Sequence, residues 1–278
     1  MVLTSIPILI TATFDVGETP QVALSKFEDR VEKYMEGFIA WLRDPLAKKI
    51  VFAKNCTCKL RSKILEVAAS SYGKELEFLD LQPSAITAIR GKGYGEGDLI
   101  SQALKSSELL GEAEEFIKVT GKLYAPQLEQ LFTSGHDGEF LVSLGNQTGK
   151  QRPHTDLLSS MYKSEAGCSL LDFLRRQLRI PWRLVSSPAI GWIDTRVFRV
   201  RRDFYQKVLL NSYRRVNDSL GYTLEAAFYD DLINQNGIYL IKQLPIILGT
   251  SGTLGTTAGE YAPDLKKEAA ELAKHLIF

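Results

Sequence analysis

Basic and hydroxyl side chains alternate along one short stretch near the middle of the chain. The stretch Phe116–Thr120 reads FIKVT, and Gly121 and Lys122 follow it directly. Side chains of a β-strand alternate between two faces, so Lys118, Thr120 and Lys122 are predicted to share one side near the end of a strand. Open α/β sheets bind ligands at the carboxyl ends of their strands. The pattern therefore predicts a ligand-binding site here, and a solvated edge lysine is the alternative interpretation of Lys118.

Four glycines alternate with other residues just after Arg90, in the sequence GKGYGEG. Glycine adopts positive φ angles easily and lets the backbone approach a ligand closely, so the run predicts a flexible ligand-binding loop before a helix capped by Asp98. Mobility without ligand contact is the alternative. The spacing fits neither the dinucleotide-binding fingerprint nor the Walker motif, so the run does not identify a ligand by itself.

A second polar strand end is predicted near the amino terminus. Residues Pro7–Phe14, PILITATF, are rich in β-forming residues, and the sequence DVG that follows ends the run. Thr11, Thr13 and Asp15 are predicted to face a ligand at this strand end. Ordinary strand hydroxyl groups without a ligand are the alternative interpretation of the threonines.

Arginines cluster in the second half of the chain, within and after the extended stretch Ile193–Val200. Against a nearly balanced total charge, this density indicates a site for an anionic partner, either a diphosphate or an acidic lipid surface. Arg196 is the preferred candidate, and a solvated face is the alternative for Arg201 and Arg202. Asp194 is a candidate for a lone metal ligand, with the capping of a turn as the alternative.

One carboxylate lies in an apolar part of a predicted helix. Glu225 is flanked by a leucine on one side and by two alanines on the other. Desolvation of such a carboxylate raises its pKa, and a raised pKa suits a general base. Glu225 is therefore the first candidate for a catalytic base. A salt-bridged helix glutamate, with Arg214 or Arg215 as the partner, is the alternative.

The composition is that of an ordinary globular chain. Hydrophobic residues make up 45% of its 278 residues and charged residues 24%, so a substantial core and one domain over residues 1–278 are expected. The chain carries 34 Lys and Arg against 33 Asp and Glu, and this balance argues against recruitment of nucleic acid. The apolar amino-terminal run is too short for a membrane span and lacks the basic lead-in of a signal peptide, which predicts a cytoplasmic protein.

The cysteines are expected to be reduced. The chain has three of them, and Cys56-x-Cys58 lacks the further ligands that a zinc site needs. The three histidines are scattered along the sequence and do not supply those ligands. Free thiols are the usual state of cysteines in a cytoplasmic protein.

Strand and helix periodicities alternate along the first half of the chain. An amphipathic helix is predicted from Pro20 to Leu42 and another from Cys58 to Tyr72, each between two β-rich stretches. This βαβαβ order is typical of doubly wound nucleotide-binding folds. Helices are also predicted at 155–161, 168–178 and 264–278. The predicted class is α/β, with a doubly wound mixed sheet and a helical C-terminal lobe.

Several of these motifs follow one another in an order that resembles a known family. The sequence KGYGEGDLISQAL is followed by FIKVTGKLYAPQLEQL, then by DTRVF at 194–198 and by VND and GYTLE between 216 and 225. This order is similar to that of small bacterial glycosyltransferases of the GT-A type, which build surface polysaccharides such as lipopolysaccharide O-antigen or capsule. The similarity runs over most of the chain and rests on the order of the motifs, since no single motif is diagnostic.

The resemblance implies a reaction and its partners. It implies a GT-A-like sheet whose carboxyl edge binds a nucleotide-sugar donor, with residues 1–145 as the donor half and residues 146–278 as the acceptor half. The acceptor is a lipid-linked glycan or an oligosaccharide, and Glu225 takes its proton if the transfer inverts configuration. The residue patterns and the resemblance together give the residues predicted to bind the donor: Thr11, Thr13, Lys92, Gly93, Tyr94, Gly95, Lys118, Thr120, Lys122 and Arg196.

GT-A enzymes commonly carry an Asp-x-Asp pair that holds a divalent metal against the donor pyrophosphate, and this chain has no Asp-x-Asp. Lys118 and Lys122 stand about where that pair is expected, so metal-independent donor binding is the preferred hypothesis, with Mg or Mn as the alternative. Two other functions stay open: a nucleotidyltransferase, and a catalytically silent subunit that binds donor or glycan. For the C-terminal helix, peripheral contact with the inner membrane surface is the alternative to docking against the domain.

Overall fold

A mixed β-sheet forms the centre of the fold. The computed structural model describes residues 6–16, 24, 26–126, 140–145, 192–232, 235–240, 246–250 and 257–277. Within them, one sheet contains seven strands: β1 (Ile8–Ala12), β2 (Lys49–Lys54), β3 (Glu75–Asp80), β4 (Glu115–Thr120), β6 (Phe140–Gly145), β7 (Trp192–Arg201) and β8 (Ile238–Leu240). Their order is β3-β2-β1-β4-β7-β6-β8. A smaller sheet consists of β5 (Leu123–Tyr124), β9 (Leu248–Thr250) and β10 (Thr257–Gly259), with β9 in the middle.

The strand directions bring several strand ends to one edge of the large sheet. Strands β1 to β4 run parallel to one another, and β7 runs antiparallel beside β4. The carboxyl ends of the four parallel strands therefore lie at the same edge as the amino end of β7. The register pairs Val119 with Val197, so Thr195 and Arg196 lie beside the carboxyl end of β4. The predicted α/β class with a mixed sheet is confirmed.

Helices cover both faces of this sheet. They are α1 (Phe27–Arg43), α2 (Ser62–Ser71), α3 (Thr87–Arg90), α4 (Lys92–Ser106), α5 (Glu108–Glu112), α6 (Arg202–Phe204), α7 (Leu224–Leu232) and α8 (Pro263–Leu276). A π-helical turn at Tyr205–Leu209 and 3₁₀ turns at Ser212–Arg215 and Asp218–Leu220 lie between α6 and α7. Apolar residues of α1, α2 and α8 form one core with the sheet, and those of α4 and α7 form a second core.

The pleat of the strands decides which polar side chains reach the edge beside α4. On β1, Leu9 belongs to the core under α4, and Thr11 points to the same side because side chains of a strand alternate between its faces. On β4, Phe116 belongs to that core, so Lys118 and Thr120 point to it as well. Lys118 and Thr120 share contacts at this edge, which confirms the prediction for these two residues. Lys122 lies beyond the end of β4, over the ring of Tyr34 in α1, so the prediction that it shares their face is wrong.

Helix α1 begins later than its sequence pattern predicts. Its first residue is Phe27 and not Pro20, and residues 17–23 lie outside the described part of the chain. The Arg30 guanidinium donates to the Leu24 carbonyl oxygen over 2.8 Å, so a side chain satisfies that oxygen instead of a helix N–H group. The predicted apolar stripe is buried at Val31, Tyr34, Met35, Phe38 and Leu42.

The alternating glycines lie at the start of helix α4, so the prediction of a flexible loop is wrong. The helix begins at Lys92, and Asp98 lies within it instead of capping it. Gly91 precedes the helix with a φ of 99°, a left-handed angle that favours glycine. A Cβ at Gly97 would lie 2.2 Å from the Cβ of Tyr213. Close packing of the helix, and not mobility, explains these glycines.

Two cysteines differ from the expectation of reduced thiols. Cys56 and Cys58 form a disulfide in the segment between β2 and α2, with 5.3 Å between their Cα atoms. That separation lies within the range that a disulfide requires. The expectation fails because the distance between residues so close in sequence depends on the local backbone, which composition does not reveal. Cys168 lies outside the described residues.

Helix α8 docks against the rest of the domain. Arg43, near the end of α1, donates to Asp264 over 2.6 Å and to Glu268 over 2.7 Å. The face that packs against α1 and α2 buries Leu265, Ala269, Ala273 and Leu276. The predicted docking of this helix is confirmed. The helices predicted at 155–161 and 168–178 lie outside the described residues.

The described ranges contain no helix with the length and apolar character that a membrane crossing requires.

Candidate active site

The ammonium group of Lys118 is enclosed at the carboxyl end of β4. Its side chain is 0% exposed, and Nζ forms an ion pair with Glu96 of α4. Nζ also donates to Thr120 Oγ1 over 3.0 Å and to the Thr195 carbonyl oxygen over 2.7 Å. An ammonium group has three hydrogens to donate, and these contacts use all of them. In this arrangement Lys118 ties β4 to α4 and β7, and no hydrogen is left over for a ligand.

Glu96 is the acceptor at the centre of this group, although the sequence pattern did not indicate it. Its Oε1 also accepts hydrogen bonds from Thr120 at 3.0 Å and from Thr11 at 3.3 Å. Burial raises the pKa of the Glu96 carboxyl group, but the charge and hydrogen bonds of Lys118 and Thr120 outweigh burial and hold the pKa below its usual value. Glu96 is therefore ionised at neutral pH. Glu96 lies between Gly95 and Gly97, and its position in this run of glycines is the sequence feature that could have indicated it.

Glu225 lies next to this group, in the first turn of α7. The Thr195 hydroxyl donates to Glu225 Oε1 over 2.9 Å, and the Thr195 carbonyl oxygen accepts from Lys118. Glu225 is half-buried and forms no ion pair with any described residue. Of its two predicted partners, Arg215 pairs with Asp231 instead. The fold therefore brings the Glu225 carboxylate to the sheet edge with one oxygen oriented and no cation bound to it.

Arg196 and Asp194 pair with each other near the start of β7. The Asp194 carboxylate accepts from Arg196 Nε at 2.9 Å, from Nη2 at 2.6 Å and from the backbone N–H at 3.0 Å. These bonds raise the pKa of Arg196 above its ordinary value, and the charge of Glu225 adds to the rise. The side chain of Arg196 is 50% exposed. Its guanidinium stays accessible to an anionic ligand, whereas both oxygens of Asp194 already accept hydrogen bonds.

The other arginines of the cluster lie away from this edge. Arg199 donates to both carboxylate oxygens of Glu115, at 2.7 Å and 2.8 Å, and Arg201 lies 3.4 Å from Asp203. Glu115 is the first residue of β4, so this pairing is at the amino end of that strand. The strand therefore spreads these arginines along the sheet, and Arg196, the preferred candidate for an anionic site, lies closer to the carboxyl end of β4 than Arg199 does.

The end of β1 holds Thr13 in a fixed position. The Thr13 N–H donates to Tyr34 Oη over 3.0 Å, and the Thr13 carbonyl oxygen accepts from Arg30 Nε at 2.8 Å. The Thr13 hydroxyl donates to the amide oxygen of Asn55, whose amide nitrogen donates to the Gly95 carbonyl oxygen over 3.2 Å. The ends of β1 and β2 and the first turns of α4 are therefore joined at one edge.

Lys122 lies just beyond β4 and has a different environment from Lys118. It is 4% exposed, its Nζ lies 5.3 Å from the centroid of the Tyr34 ring, and no described residue accepts a hydrogen bond from Nζ. Burial lowers the pKa of Lys122 to about 7, and the positive charges of Arg30 and Lys92 add to the effect. The sheet edge thus contains one ammonium group with all three hydrogens donated and one that has no acceptor in the described part of the chain.

The predicted contact residues at the start of α4 do not all face the sheet edge. Lys92 is exposed at the first position of the helix. Tyr94 is 7% exposed and packs edge-on against Tyr213, with 5.2 Å between ring centroids. The Gly93 N–H donates to Asp218 Oδ2 over 2.8 Å. Gly93 and Tyr94 therefore face the 3₁₀ turns, while Lys92 is open to solvent.

Asp218 is a buried carboxylate to which the sequence pattern assigned no role. Burial raises the pKa of Asp218 to about 6, the Gly93 N–H and Lys92 oppose the rise, and Glu225 and Glu96 add to it. Asp218 is therefore electrostatically coupled to both other carboxylates. The 3₁₀ turn that carries Asp218 packs against α3 and α4.

The carboxyl end of β4 does not fit a divalent cation. The residues there are Thr120, Gly121 and Lys122, and an ammonium group repels a cation. Mg and Mn prefer several carboxylate, carbonyl or water oxygens. The described ranges contain no group of three or more His, Cys, Asp or Glu side chains that could hold a metal ion. The one suggested metal ligand, Asp194, is bonded to Arg196.

Comparison with known proteins identifies the fold. No model of a known protein family matches the sequence, and no curated protein matches it. The solved structure of the galactosyltransferase LgtC, in complex with donor and acceptor sugar analogues, is similar to this one with a TM-score of 0.51 at 9% identity. The similarity covers 98% of this chain and 97% of LgtC. At this identity the likeness establishes a shared GT-A-like fold and nothing finer.

Two further solved structures are less similar. A putative glucose-1-phosphate thymidylyltransferase from Bacillus anthracis has a TM-score of 0.48 at 8% identity, over 98% of this chain and 97% of that one. The bifunctional glycosyltransferase WbbM has a TM-score of 0.46 at 9% identity, over 85% of this chain, which spans only 38% of WbbM. Because related sheets host unrelated activities, the choice of reaction depends on the side chains at the carboxyl edge.

Proposed function

We propose that this protein is a GT-A-type glycosyltransferase that moves a sugar from a nucleotide-sugar donor to a lipid-linked or oligosaccharide acceptor. The carboxylate of Glu225 carries the proposal. It lies at the sheet edge with one oxygen oriented by Thr195, is half-buried, and has no ion pair among the described residues. A carboxylate in this position can take the proton of an acceptor hydroxyl, which is the task of a general base.

The proposed reaction is a displacement at the anomeric carbon of the donor sugar. The acceptor hydroxyl oxygen bonds to that carbon, the bond from the carbon to the diphosphate oxygen breaks, and the nucleoside diphosphate leaves with the electron pair. Glu225 takes the proton of the acceptor hydroxyl. Thr195 holds Glu225 through the 2.9 Å hydrogen bond, and Lys118 holds the backbone of Thr195. This is the inverting course; in a retaining transfer, Glu225 positions the substrate without acting as a base.

The donor is proposed to bind along the carboxyl ends of β1 and β4. The resemblance places the nucleotide base beside Thr11 and Thr13, and the accessible guanidinium of Arg196 lies on the neighbouring strand. We also propose that the protein acts in the cytoplasm, where nucleotide sugars are available. Its product would be a surface polysaccharide such as O-antigen or capsule, and with a lipid-linked acceptor it would contact the inner membrane peripherally.

The variant Glu225→Gln tests the proposed base. It should lower nucleotide release by about 100-fold or more, because an amide cannot take the acceptor's proton. The measurement is nucleotide release from a panel of nucleotide sugars with oligosaccharide and lipid-linked acceptors, with and without chelator. Donor affinity should change by less than about threefold, since the amide oxygen still accepts from Thr195. The matched control is Glu112→Gln, at an exposed position of α5, which should keep wild-type release.

Other outcomes of this assay identify other functions. Wild-type turnover in Glu225→Gln would exclude Glu225 as the base. Donor binding without turnover across the whole panel would favour a catalytically silent binding subunit. Formation of a nucleotide sugar and pyrophosphate from a nucleoside triphosphate and a sugar phosphate would favour nucleotidyl transfer.

A further inference from the structure

The side chain of Lys122 is buried, and no described residue accepts a hydrogen bond from its ammonium group. Buried lysines are normally paired, because removing an isolated ammonium group from water is strongly unfavourable. Lys118 shows the usual arrangement, with three acceptors around its Nζ. Lys122 faces the ring of Tyr34 instead. A ligand bound next to Nζ would supply the hydrogen-bond acceptor that the described residues do not provide.

The backbone around Lys122 is packed closely enough to keep this group in place. Its carbonyl oxygen accepts from Tyr261 Oη at 3.2 Å. A Cβ at Gly121 would lie 2.7 Å from the Thr11 carbonyl oxygen, and a Cβ at Gly249 would lie 2.1 Å from the Lys122 carbonyl oxygen. Glycine at both positions lets the turn pack against its neighbours, which gives the lysine a well-defined position.

The charges that face Lys122 attract an anion. Arg30 of α1 and Lys92 of α4 both oppose its protonation, while Glu96 of α4 favours it. The Glu96 carboxylate is already neutralised by its own ion pair with Lys118. Arg30 and Lys92 therefore act on Lys122 with the same sign of charge, and the carboxylate that opposes them is paired with another lysine, so an anion beside Nζ would be stabilised.

We propose that Lys122 binds a phosphate group of the donor diphosphate. Its ammonium group then neutralises negative charge of the diphosphate, a task that would otherwise need a divalent cation. The identity of the anion as a donor diphosphate rests on the proposed function, whereas the anion site itself does not. An ammonium group donates charged hydrogen bonds directly to phosphate oxygens. Lys122 stands at the carboxyl end of β4, where the described residues offer no carboxylate cluster for a metal.

Binding of the anion is coupled to protonation of the lysine. Without a ligand the pKa of Lys122 is about 7, so part of the protein carries a neutral amine at neutral pH. A phosphate oxygen in contact with Nζ stabilises the charged form and raises that pKa. Affinity for the anion therefore falls as the pH rises above about 7, because binding then requires the uptake of a proton.

The test is isothermal titration calorimetry with inorganic pyrophosphate in the presence of EDTA. The wild-type protein should bind without metal, and Lys122→Met should weaken binding by at least about tenfold through the loss of charged hydrogen bonds. Methionine keeps the length and apolar stem of the buried side chain, so this variant is expected to fold. Lys105→Met, exposed in the last turn of α4, is the matched control and should bind as the wild type does.

Lys122→Arg separates the effect of charge from the effect of protonation. A guanidinium group does not titrate in this range, and the ionisation of pyrophosphate affects both proteins equally. Between about pH 6 and about pH 8, the affinity of the wild type should fall about tenfold relative to that of the arginine variant. A ratio that stays constant with pH, or a folded arginine variant that binds at neither pH, would overturn the proposal.

Three further results would also overturn it: no binding to the wild type, equal affinity in Lys122→Met, or binding only after Mg is added. The proposed function can fail separately. Pyrophosphate binding through Lys122, without sugar transfer from any donor, would keep the anion site and remove the glycosyltransferase assignment. Sugar transfer that Lys122→Met leaves unchanged would keep that assignment and remove the anion site.

Discussion

Two lysines at the end of β4 have opposite environments although both are buried. Lys118 donates to Glu96, to a threonine hydroxyl and to a backbone carbonyl oxygen, whereas no described residue accepts from Lys122. The elements that face them cause the difference, because α4 presents a carboxylate to Lys118 and α1 presents the ring of Tyr34 to Lys122. Lys118 therefore holds α4 and β7 in place around the site, whereas the ammonium group of Lys122 can donate hydrogen bonds to a ligand.

The buried charge of Lys122 should destabilise the folded protein at neutral and acidic pH. Its pKa falls from 10.5 in an exposed lysine to about 7 in the folded protein. Between these values the unfolded chain binds more protons than the folded one, so the free energy of unfolding rises with pH, by at most about 1.4 kcal/mol per pH unit. Lys122→Met should therefore be more stable than the wild type at about pH 7, and this advantage should disappear towards pH 10.5.

Urea unfolding followed by circular dichroism at a series of pH values measures this difference. Groups other than Lys122 titrate in both proteins, so the difference between the two curves isolates the lysine. Lys105→Met removes an exposed lysine and should follow the pH dependence of the wild type. A stability difference between wild type and Lys122→Met that is the same at every pH would contradict the burial of a titrating charge.

At the scale of elements, the close approach of helix α4 assembles the group around Glu96. A Cβ at Gly93 would lie 2.9 Å from Asp218 Oδ1, and a Cβ at Gly97 would lie 2.2 Å from the Cβ of Tyr213. Helices usually gain stability when glycine is replaced by alanine. Here the neighbouring turns occupy the space that the extra methyl group needs, so packing outweighs helix propensity.

Gly97→Ala should lower the free energy of unfolding by about 1–3 kcal/mol, because the added methyl group overpacks the contact with Tyr213. Gly111→Ala in α5 is the matched control, since a Cβ there meets no atom within 4 Å. The control should raise stability by up to about 1 kcal/mol. Urea unfolding of both variants measures these changes, and equal changes would show that α4 packs more loosely than the structure indicates.

At the scale of the whole molecule, both halves of the chain contribute to one sheet and one site. Strand β7 lies between β4 and β6, and α8 returns to pack against α1 and α2. Lys118 and Glu96 of the first half are joined through Thr195 to Glu225 of the second half. The halves predicted at residues 1–145 and 146–278 therefore meet at the candidate site itself.

Leu276→Ala should lower the free energy of unfolding by about 2–5 kcal/mol, the range for truncation of a buried leucine. Leu276 is 0% exposed and belongs to the core that α8 shares with α1 and α2. Leu272→Ala, at a partly buried position of the same helix, is the control and should cause a smaller loss. Denaturation should remain a single transition in both variants. Separate early melting of α8 would contradict its place in one cooperative unit.

The amino-acid sequence by itself determined the local elements and their faces. The alternation in FIKVT predicts β4 and places Lys118 and Thr120 on one face, because the pleat of a strand has a period of two residues. The apolar stripes likewise predict the buried faces of α1 and α8, since the helix has a fixed period. Helix ends were less predictable: α1 begins at Phe27, and the Leu24 carbonyl oxygen before it accepts from the Arg30 side chain.

Only the tertiary structure decided which charges are paired. No sequence pattern distinguishes Lys118 from Lys122, marks Glu96 as the central acceptor, or shows that the glycines make room for Tyr213 within a helix. Periodicity reports the geometry of one segment, because it repeats along the backbone. Pairing and desolvation depend on groups from segments far apart in sequence, as when Thr195 reaches Glu225 over 2.9 Å, and folding alone brings those groups together.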